Sequence, residues 1–159
     1  MINCTFEDGG KATLRHVTVG AIVLNREKNK ILLGKRAPHL TNGGKYNLIG
    51  GFLDRNETTS QVVLREVLEE TGYRAKIISL FRINDSPNRS KEDRQNVDFA
   101  FIVEAQNKVG EMDDESTEVK WFNLNDLPRE EEFAFDHFET INLYKDCVKS
   151  PRPLPIIGK

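Results

Sequence analysis

Residues 51–73 read GFLDRNETTSQVVLREVLEETGY, and this stretch carries the strongest secondary-structure signal in the chain. Thr58 is followed three positions later by Gln61, which is the spacing of a capping box at the start of a helix. Gly72 stands where the end of a helix favours a residue in the left-handed conformation. The sequence therefore predicts a helix from Thr58 to Thr71 that ends at a glycine.

Three glutamates lie on one side of this predicted helix. Glu66, Glu69 and Glu70 are spaced i, i+3 and i+4, and they fall within one arc of roughly 100°. Carboxylates at this spacing repel one another, and the helix dipole disfavours anions near the C-terminus. Since hard divalent cations such as Mg²⁺ bind oxygen ligands, the arrangement indicates a metal site. The alternative is a solvated acidic face on which Arg65 pairs with Glu69.

A separate apolar arc of the helix, about 140° wide, predicts that it packs on a sheet. Its members are Val63, Leu64, Val67 and Leu68. Val62 falls within the acidic arc and interrupts the pattern slightly.

Short apolar runs bounded by polar turns predict strands on both sides of the helix. The predicted strands are His16–Leu24, Ile31–Gly34, Tyr46–Ile49, Lys76–Ile83, Asn96–Ala105 and Glu118–Phe122. The first two form a predicted hairpin, and residues 135–148 form a second predicted helix. Because strands and helices are mixed without strict alternation, we expect an α/β fold with a mixed sheet between helices.

Length and composition limit the class of protein. The chain has 159 residues, with 25 acidic and 23 Lys or Arg residues and a net charge of −2. That balance shows no basic footprint for nucleic acid, and no apolar run approaches the roughly 18 residues of a membrane span. We expect one domain over residues 1–149, followed by an extended, loosely held proline-rich tail over residues 150–159. Residues 1–10 have no apolar core of a signal peptide, and the two cysteines indicate reduced thiols in a cytoplasmic protein.

The spacing of Gly51, Glu57 and the run from Arg65 to Tyr73 is similar to the Nudix box, G-x5-E-x7-R-E-U-x-E-E-x-G-U, where U is bulky and apolar. Every specified position matches. The resemblance extends to the hairpin HVTVGAIVL and ILLGKR, to YNLIGG before the box, and to EVKWFNLNDLP after it, so it spans most of residues 16–140. Ile49 departs from the family pattern, because proline is commonest at that position.

The resemblance implies an α/β/α sandwich with a mixed central sheet and a metal-dependent hydrolase. On this basis Glu66, Glu69 and Glu70 are expected to bind Mg²⁺ or Mn²⁺, with the backbone at Gly50 as a further ligand source. The remaining positions of the box have supporting roles. Arg65 is expected to hold the carboxylates, Glu57 to lock the loop to the helix, and Gly51 and Gly72 to permit the turn and the helix end.

The general base is open between residues inside and outside the box. Glu66 is one candidate, and some members of the family use a glutamate from a later loop, for which Glu115 and Glu118 are the candidates. Glu118 is preferred because it directly precedes the strand of Trp121. The alternative for both is an ordinary surface charge.

Basic side chains are the expected phosphate ligands. Lys35 and Arg36 end the second strand, where the family often has a phosphate-facing arginine. Arg82, Arg89 and Arg94 flank a long polar loop and are further candidates, each with a solvated surface charge as the alternative.

The segment FAFDHF, residues 133–138, resembles a subset of small Nudix proteins that includes ADP-ribose pyrophosphatases. The alternative for Asp136 is a helix N-cap.

The expected activity is therefore the hydrolysis of a nucleoside diphosphate linked to another moiety, with ADP-ribose or a nucleoside diphosphate sugar favoured. Two alternatives stay open, a nucleoside triphosphate pyrophosphohydrolase and a non-catalytic module that binds nucleotide metabolites. The expected partner is a small nucleotide, with no nucleic acid and no membrane. Relatives that pair make a homodimer one option, which the sequence does not decide.

Overall fold

The computed structural model describes residues 2–89 and 95–158. Two helices are α1, Thr59–Thr71, and α2, His137–Lys149, and a short 3₁₀ turn covers Glu130–Glu132. The strands are β1 Ile2–Thr5, β2 Lys11–Leu14, β3 Val17–Leu24, β4 Lys30–Arg36, β5 Tyr46–Asn47, β6 Tyr73–Asn84, β7 Val97–Lys108, β8 Ser116–Asn123 and β9 Ile156–Ile157. No helix within these ranges is both long and apolar enough to cross a membrane.

A mixed sheet forms the centre of the molecule. In the described ranges its seven strands run in the order β5-β4-β3-β7-β6-β9, and β8 pairs with β4. The β3–β7 and β6–β9 pairs are parallel, whereas β3–β4, β4–β5, β4–β8 and β6–β7 are antiparallel. The hairpin predicted for the first two apolar runs is confirmed as β3–β4.

The segment of residues 49–53 lies against β3 where β4 no longer pairs with it, and this placement positions the site. The two strands pair only near one end, at Val23 and Leu24 of β3. Further along, the segment from residue 49 to 53 lies against β3 instead, and the amide of Val19 donates to the carbonyl of Gly51 at 2.9 Å. The glycine pair before α1 is therefore held at the edge of the central strand.

The two helices cover opposite faces of the sheet. One apolar cluster joins Val63 and Val67 of α1 to Ala21 and Val23 of β3. The other joins α2 to the opposite face through side chains that include Ile22, Phe81, Ile141 and Tyr144. Alternate residues of β3 thus enter different clusters, as strand geometry requires. The expected α/β/α sandwich is confirmed.

Helix α1 begins and ends as the sequence predicts, but its buried face differs. Thr58 and Gln61 form a reciprocal capping box, and Gly72 ends the helix at φ 72°. The buried residues are Val62, Val63, Val67, Glu70 and Thr71, whereas Leu68 is 40% exposed. The prediction that Leu68 belongs to the packing face was wrong, because the helix is rotated so that part of its acidic arc faces the protein.

The proline-rich tail is not loosely held. Ile156 and Ile157 form β9, which adds to β6 as a parallel edge strand, and the amide of Gly158 donates to the carbonyl of Ile83 at 2.9 Å. Backbone hydrogen bonds to a strand edge need no periodic pattern in the added segment. Composition alone therefore could not reveal this contact.

Candidate active site

The glycines before α1 bring the backbone directly onto the glutamates. The amide of Gly50 donates to Oε1 of Glu70 at 2.8 Å. At Gly51, a Cβ atom would lie only 2.3 Å from Oε1 of Glu66, so only glycine leaves room for that carboxylate. The loop and the helix therefore form one unit.

Arg65 holds this unit from the other side. Its Nε and Nη2 donate to the two carboxylate oxygens of Glu57 at 2.9 and 3.1 Å, which joins the loop to the helix. Its Nη1 donates to Oε1 of Glu66 at 2.9 Å and to Oε2 of Glu69 at 3.0 Å. The hydrogen bonds from Arg65 lower the pKa of Glu57. The hydrogen bonds to Glu57 and Glu69 and the charges of Glu66 and Glu57 raise the pKa of Arg65.

The glutamates differ in their electrostatic environment. Burial raises the pKa of Glu70 well above its ordinary value, and the charges of Glu66, Asp113 and Glu115 raise it further. The amide of Gly50 opposes that shift only in part. Burial also raises the pKa of Glu66, although Arg65 lowers it. The native structure thus encloses negative charge that the chain itself compensates incompletely.

The donor set suits a hard divalent cation. Within residues 2–89 and 95–158, no three His, Cys, Asp or Glu side chains converge into a ready-made metal cluster. Yet Glu66 and Glu70 present carboxylate oxygens beside the same glycine pair, and Glu69 lies one turn away with its side chain half exposed. Carboxylate oxygens are the ligands that Mg²⁺ and Mn²⁺ prefer.

A cleft of about 470 Å³ opens next to the carboxylates. Several predicted site residues line it: Arg36, Gly50, Gly51, Arg65, Glu66, Arg89 and Glu115. The guanidinium of Arg36 lies 5.3 Å from the centre of the Phe135 ring, and its Nε donates to the carbonyl of Thr41. The structure therefore brings two candidate phosphate ligands, Arg36 and Arg89, and the predicted carboxylates Glu66 and Glu115 to one cavity.

Arg89, which lines this cleft, forms a buried ion pair with Asp136. Arg89 donates from Nε to Oδ2 at 2.9 Å and from Nη2 to Oδ1 at 2.7 Å, and Asn84 donates to Oδ2 at 2.9 Å. Asp136 occupies the position before α2, but its carboxylate makes no capping hydrogen bond. Asp136 is thus the N-cap residue of α2 by position, but its carboxylate pairs with Arg89 and does not cap the helix.

Three predicted site residues lie away from the carboxylates. Val119 and Trp121 of β8 pack in the cluster of α1, so Glu118 points to the opposite face of the sheet. There burial raises the pKa of Tyr46, and the charge of Glu118 raises it further. Lys35 lies on that face too, with Nζ 5.5 Å from the Tyr46 ring centre.

Arg82 is buried near the tail, where it donates to Thr140 Oγ1 and to the Gly158 carbonyl. The remaining basic candidate, Arg94, lies outside the described residues.

Sequence reasoning missed several residues that line the cleft. They are Thr18, Asn96, Asp98 and Phe52, whereas Phe135 and His137 lie in the segment of residues 133–138 that the sequence had indicated as a clue to the substrate. One signal was available for Asp98, because it is an acidic residue between Val97 and Phe99 in an apolar strand. The register that places it beside Thr18 depends on a parallel pair 80 residues apart in the chain.

The comparisons with known proteins agree with this geometry. The NUDIX domain family matches residues 14–144. An ADP-ribose pyrophosphatase of Methanocaldococcus jannaschii is 34% identical over 129 residues, which cover 81% of this chain and 73% of that protein. The NAD-capped RNA hydrolase NudC of Mannheimia succiniciproducens is 30% identical over 79% of this chain, but the match spans only 46% of NudC. A crystal structure of a NUDIX hydrolase from Nitrosomonas europaea superimposes with a TM-score of 0.76 at 25% identity, covering 99% and 92% of the two chains.

Proposed function

The chain belongs to the NUDIX family of hydrolases, and on that premise we propose that it is a metal-dependent pyrophosphohydrolase whose substrate is ADP-ribose or a related nucleoside diphosphate sugar. The observation that carries the proposal is the burial of Glu66 and Glu70 against Gly50 and Gly51, beside a cleft of about 470 Å³. A carboxylate pair that is short of positive charge is poised to accept a cation from outside. The similarity to an ADP-ribose pyrophosphatase supports the substrate.

Glu66, Glu69 and Glu70 would hold the cation, which when bound polarises a phosphoryl oxygen and makes water more acidic. Arg65 orients two of these carboxylates and ties them to Glu57 in the loop. At the cleft, Arg36 supplies positive charge for the diphosphate. Water attacks one phosphorus, the bond from that phosphorus to the bridging oxygen breaks, and the proton of the water passes to a carboxylate.

Glu115 is the better placed of the two loop candidates for that proton. It lines the cleft, and its charge raises the pKa of both Glu66 and Glu70. Glu118 points to the other face of the sheet and does not line the cleft. We therefore assign the general base to Glu115 or Glu66. Glu115→Gln is expected to lower kcat at least 10-fold, whereas Glu118→Gln, its matched control, is expected to change it less than about twofold.

A second candidate substrate is an NAD-type dinucleotide, which also contains an ADP group in a diphosphate linkage. The similarity to NudC is the observation that favours it. Because the match covers only 46% of NudC, activity on NAD-capped RNA is for this chain a proposal too.

A substrate panel tests the proposed function. The protein is incubated with Mg²⁺ or Mn²⁺ and ADP-ribose, nucleoside diphosphate sugars, NADH or nucleoside triphosphates, and released nucleotides are quantified. We expect AMP from ADP-ribose, loss of the activity with a chelator, and no turnover by Glu66→Gln. Failure to release nucleotide from any of these substrates would refute the enzyme assignment. Preferential release of pyrophosphate from triphosphates would replace the substrate class.

A further inference from the structure

A carboxylate that the proposed hydrolysis does not use lies in the wall of the cleft. Asp98 and Thr18 are direct partners in the parallel β7–β3 pair, and Thr18 Oγ1 donates to Asp98 Oδ1 at 2.8 Å. Asp98 is only partly buried, and it lines the cleft together with Asn96. An acidic side chain in an apolar strand is costly unless its oxygens have partners.

Gly20 places no side chain next to the second oxygen of Asp98. A Cβ atom at Gly20 would lie 3.7 Å from Oδ2 and 3.9 Å from Oδ1, with no closer neighbour. Gly20 lies between the apolar residues Val19 and Ala21. A glycine inside a strand weakens it and often marks a place where a ligand approaches the backbone closely. Among the described residues, Thr18 is the only hydrogen-bond donor to Asp98. Oδ2 can therefore accept a hydrogen bond from a ligand in the cleft.

The surroundings of Asp98 shift its pKa in both directions. Burial raises the pKa of Asp98, while the charge of Arg89 and the hydrogen bond from Thr18 lower it. Asp136 raises that pKa and Arg82 lowers it. Among the charged groups, Arg89 lowers the pKa of Asp98 most, but its guanidinium is hydrogen-bonded to the carboxylate of Asp136. The ion pair of Arg89 and Asp136 thus leaves Asp98 as an acceptor in the cleft.

The surroundings suit a flat ring. Phe52 and Phe135 both line the cleft, and aromatic rings offer stacking surfaces for a nucleobase. A ribose diol commonly engages both oxygens of one carboxylate, but Oδ1 of Asp98 is already bonded to Thr18. A single available oxygen instead matches a single N–H donor on the edge of a base.

We propose that Asp98 is a specificity residue whose Oδ2 accepts a hydrogen bond from the exocyclic amino group of the substrate's nucleobase, adenine in the case of ADP-ribose. This inference rests on the proposed function, because it requires a nucleotide in the cleft. An ionised carboxylate only accepts hydrogen bonds, so it disfavours base edges that present a carbonyl oxygen at the same point. Gly20 is the residue that keeps this oxygen accessible.

Binding of two product-like nucleotides tests the assignment without any need for turnover. AMP and purine riboside 5′-monophosphate differ only in the 6-amino group, and their dissociation constants are measured by calorimetry in the presence of Mg²⁺. We expect the wild-type protein to bind AMP about 10- to 100-fold more tightly than the analogue. In Asp98→Ala we expect that preference to vanish through weaker AMP binding.

Gly20→Ala provides a second variant that keeps the carboxylate. Its methyl group would stand in ordinary van der Waals contact with Oδ2, so the fold is expected to persist while the amino group is excluded. We expect weaker binding of AMP and little change for the analogue. The matched control is Asp126→Ala, which removes an exposed carboxylate in the turn after β8 and is expected to retain the preference.

Three outcomes would overturn the inference. Equal loss of both ligands in Asp98→Ala would make the residue structural. Loss that instead depends on the 2′-hydroxyl, as shown with 2′-deoxy-AMP, would assign Asp98 to the ribose. Hydrolysis of ADP-ribose without any preference for the amino group would refute this inference alone, whereas absence of both hydrolysis and nucleotide binding would refute the proposed function as well.

Discussion

Two buried carboxylates, one in α1 and one directly before α2, have opposite pKa shifts. Glu70 of α1 receives one hydrogen bond from the backbone of Gly50, and its pKa is raised well above the ordinary value by burial. Asp136 before α2 receives a two-pronged fork from Arg89 and a further hydrogen bond from Asn84. Burial raises the pKa of Asp136 too, but the hydrogen bonds and charge of Arg89, together with the charges of His137 and Arg82, outweigh that effect, and the net pKa is lowered.

The difference lies in what the chain supplies, not in the depth of burial. Glu70 and Asp136 are 3% and 2% exposed, so both pay a similar desolvation cost. Within residues 2–89 and 95–158, only Asp136 of the two forms an ion pair with a cationic side chain. A buried carboxylate that is satisfied internally stabilises the fold, whereas one that lacks compensation is suited to bind a cation from solution.

The largest expected effect is at Glu70, whose negative charge is compensated less than that of Asp136. Glu70→Gln removes the buried charge and keeps an oxygen that can accept from Gly50, so we expect activity on ADP-ribose to fall by about 10³-fold. The free energy of unfolding without metal should rise, because a charged Glu70 destabilises the native state above its raised pKa. Steady-state kinetics and urea titration measure the two effects. Retention of wild-type kcat, or a clear loss of stability, would break the comparison.

At the ion pair of Arg89 and Asp136, we expect substitutions to lower the free energy of unfolding and not to abolish hydrolysis specifically. Arg89→Met leaves Asp136 buried without its cation, which should cost about 3 kcal/mol in the free energy of unfolding. The double variant Arg89→Met/Asp136→Asn should recover part of that loss, because it removes the stranded charge. Urea denaturation of both variants provides the measurement. A loss below about 0.5 kcal/mol for Arg89→Met would mean that the pair contributes little to the fold.

The smallest expected effect is a difference in pH dependence. Because the native pKa of Asp136 is lowered, its stabilising contribution is present above the ordinary value of 3.8 and is lost as pH falls through the native pKa. Glu70 behaves oppositely, since the native state gains stability as pH falls through its raised pKa towards 4.5.

Urea titrations of the wild-type protein, Asp136→Asn and Glu70→Gln between about pH 3 and 8 separate the two contributions. Asp136→Asn should lose the acid-side decline below the ordinary pKa of aspartate. Glu70→Gln should lose the rise in stability on moderate acidification. Parallel curves for all three proteins would show that neither carboxyl group couples to folding.

The candidate site was predictable to the extent that it depends on neighbouring residues. Thr58, Gln61 and Gly72 mark the helix ends through hydrogen bonds that span a few residues. The resemblance of Gly51, Glu57 and Arg65 to the Nudix box implies a loop that is locked to its own helix, and the structure shows the contacts of Arg65 that complete it. Spacing of this kind survives in the fold because no distant strand has to be placed first.

Residues that depend on distant pairing were predicted less well. Glu118 lies in the expected strand, but the register of β8 on β4 directs it to the face opposite α1. Glu115, three residues earlier, reaches the cleft instead. Asp136 has the sequence position of an N-cap, yet Arg89 from a loop 47 residues away takes its carboxylate.

The sequence by itself determined the mixed α/β class, the helix with its caps, and the set of carboxylates, since these follow from composition, periodicity and short-range hydrogen bonding. The tertiary structure decided which side of α1 is buried, with Glu70 inside and Leu68 exposed, and it decided that Asp98 faces a cleft beneath Gly20. Those outcomes depend on which strands pair and in what register. A shift of one residue in a strand turns every side chain to the other face, and local sequence does not specify that choice.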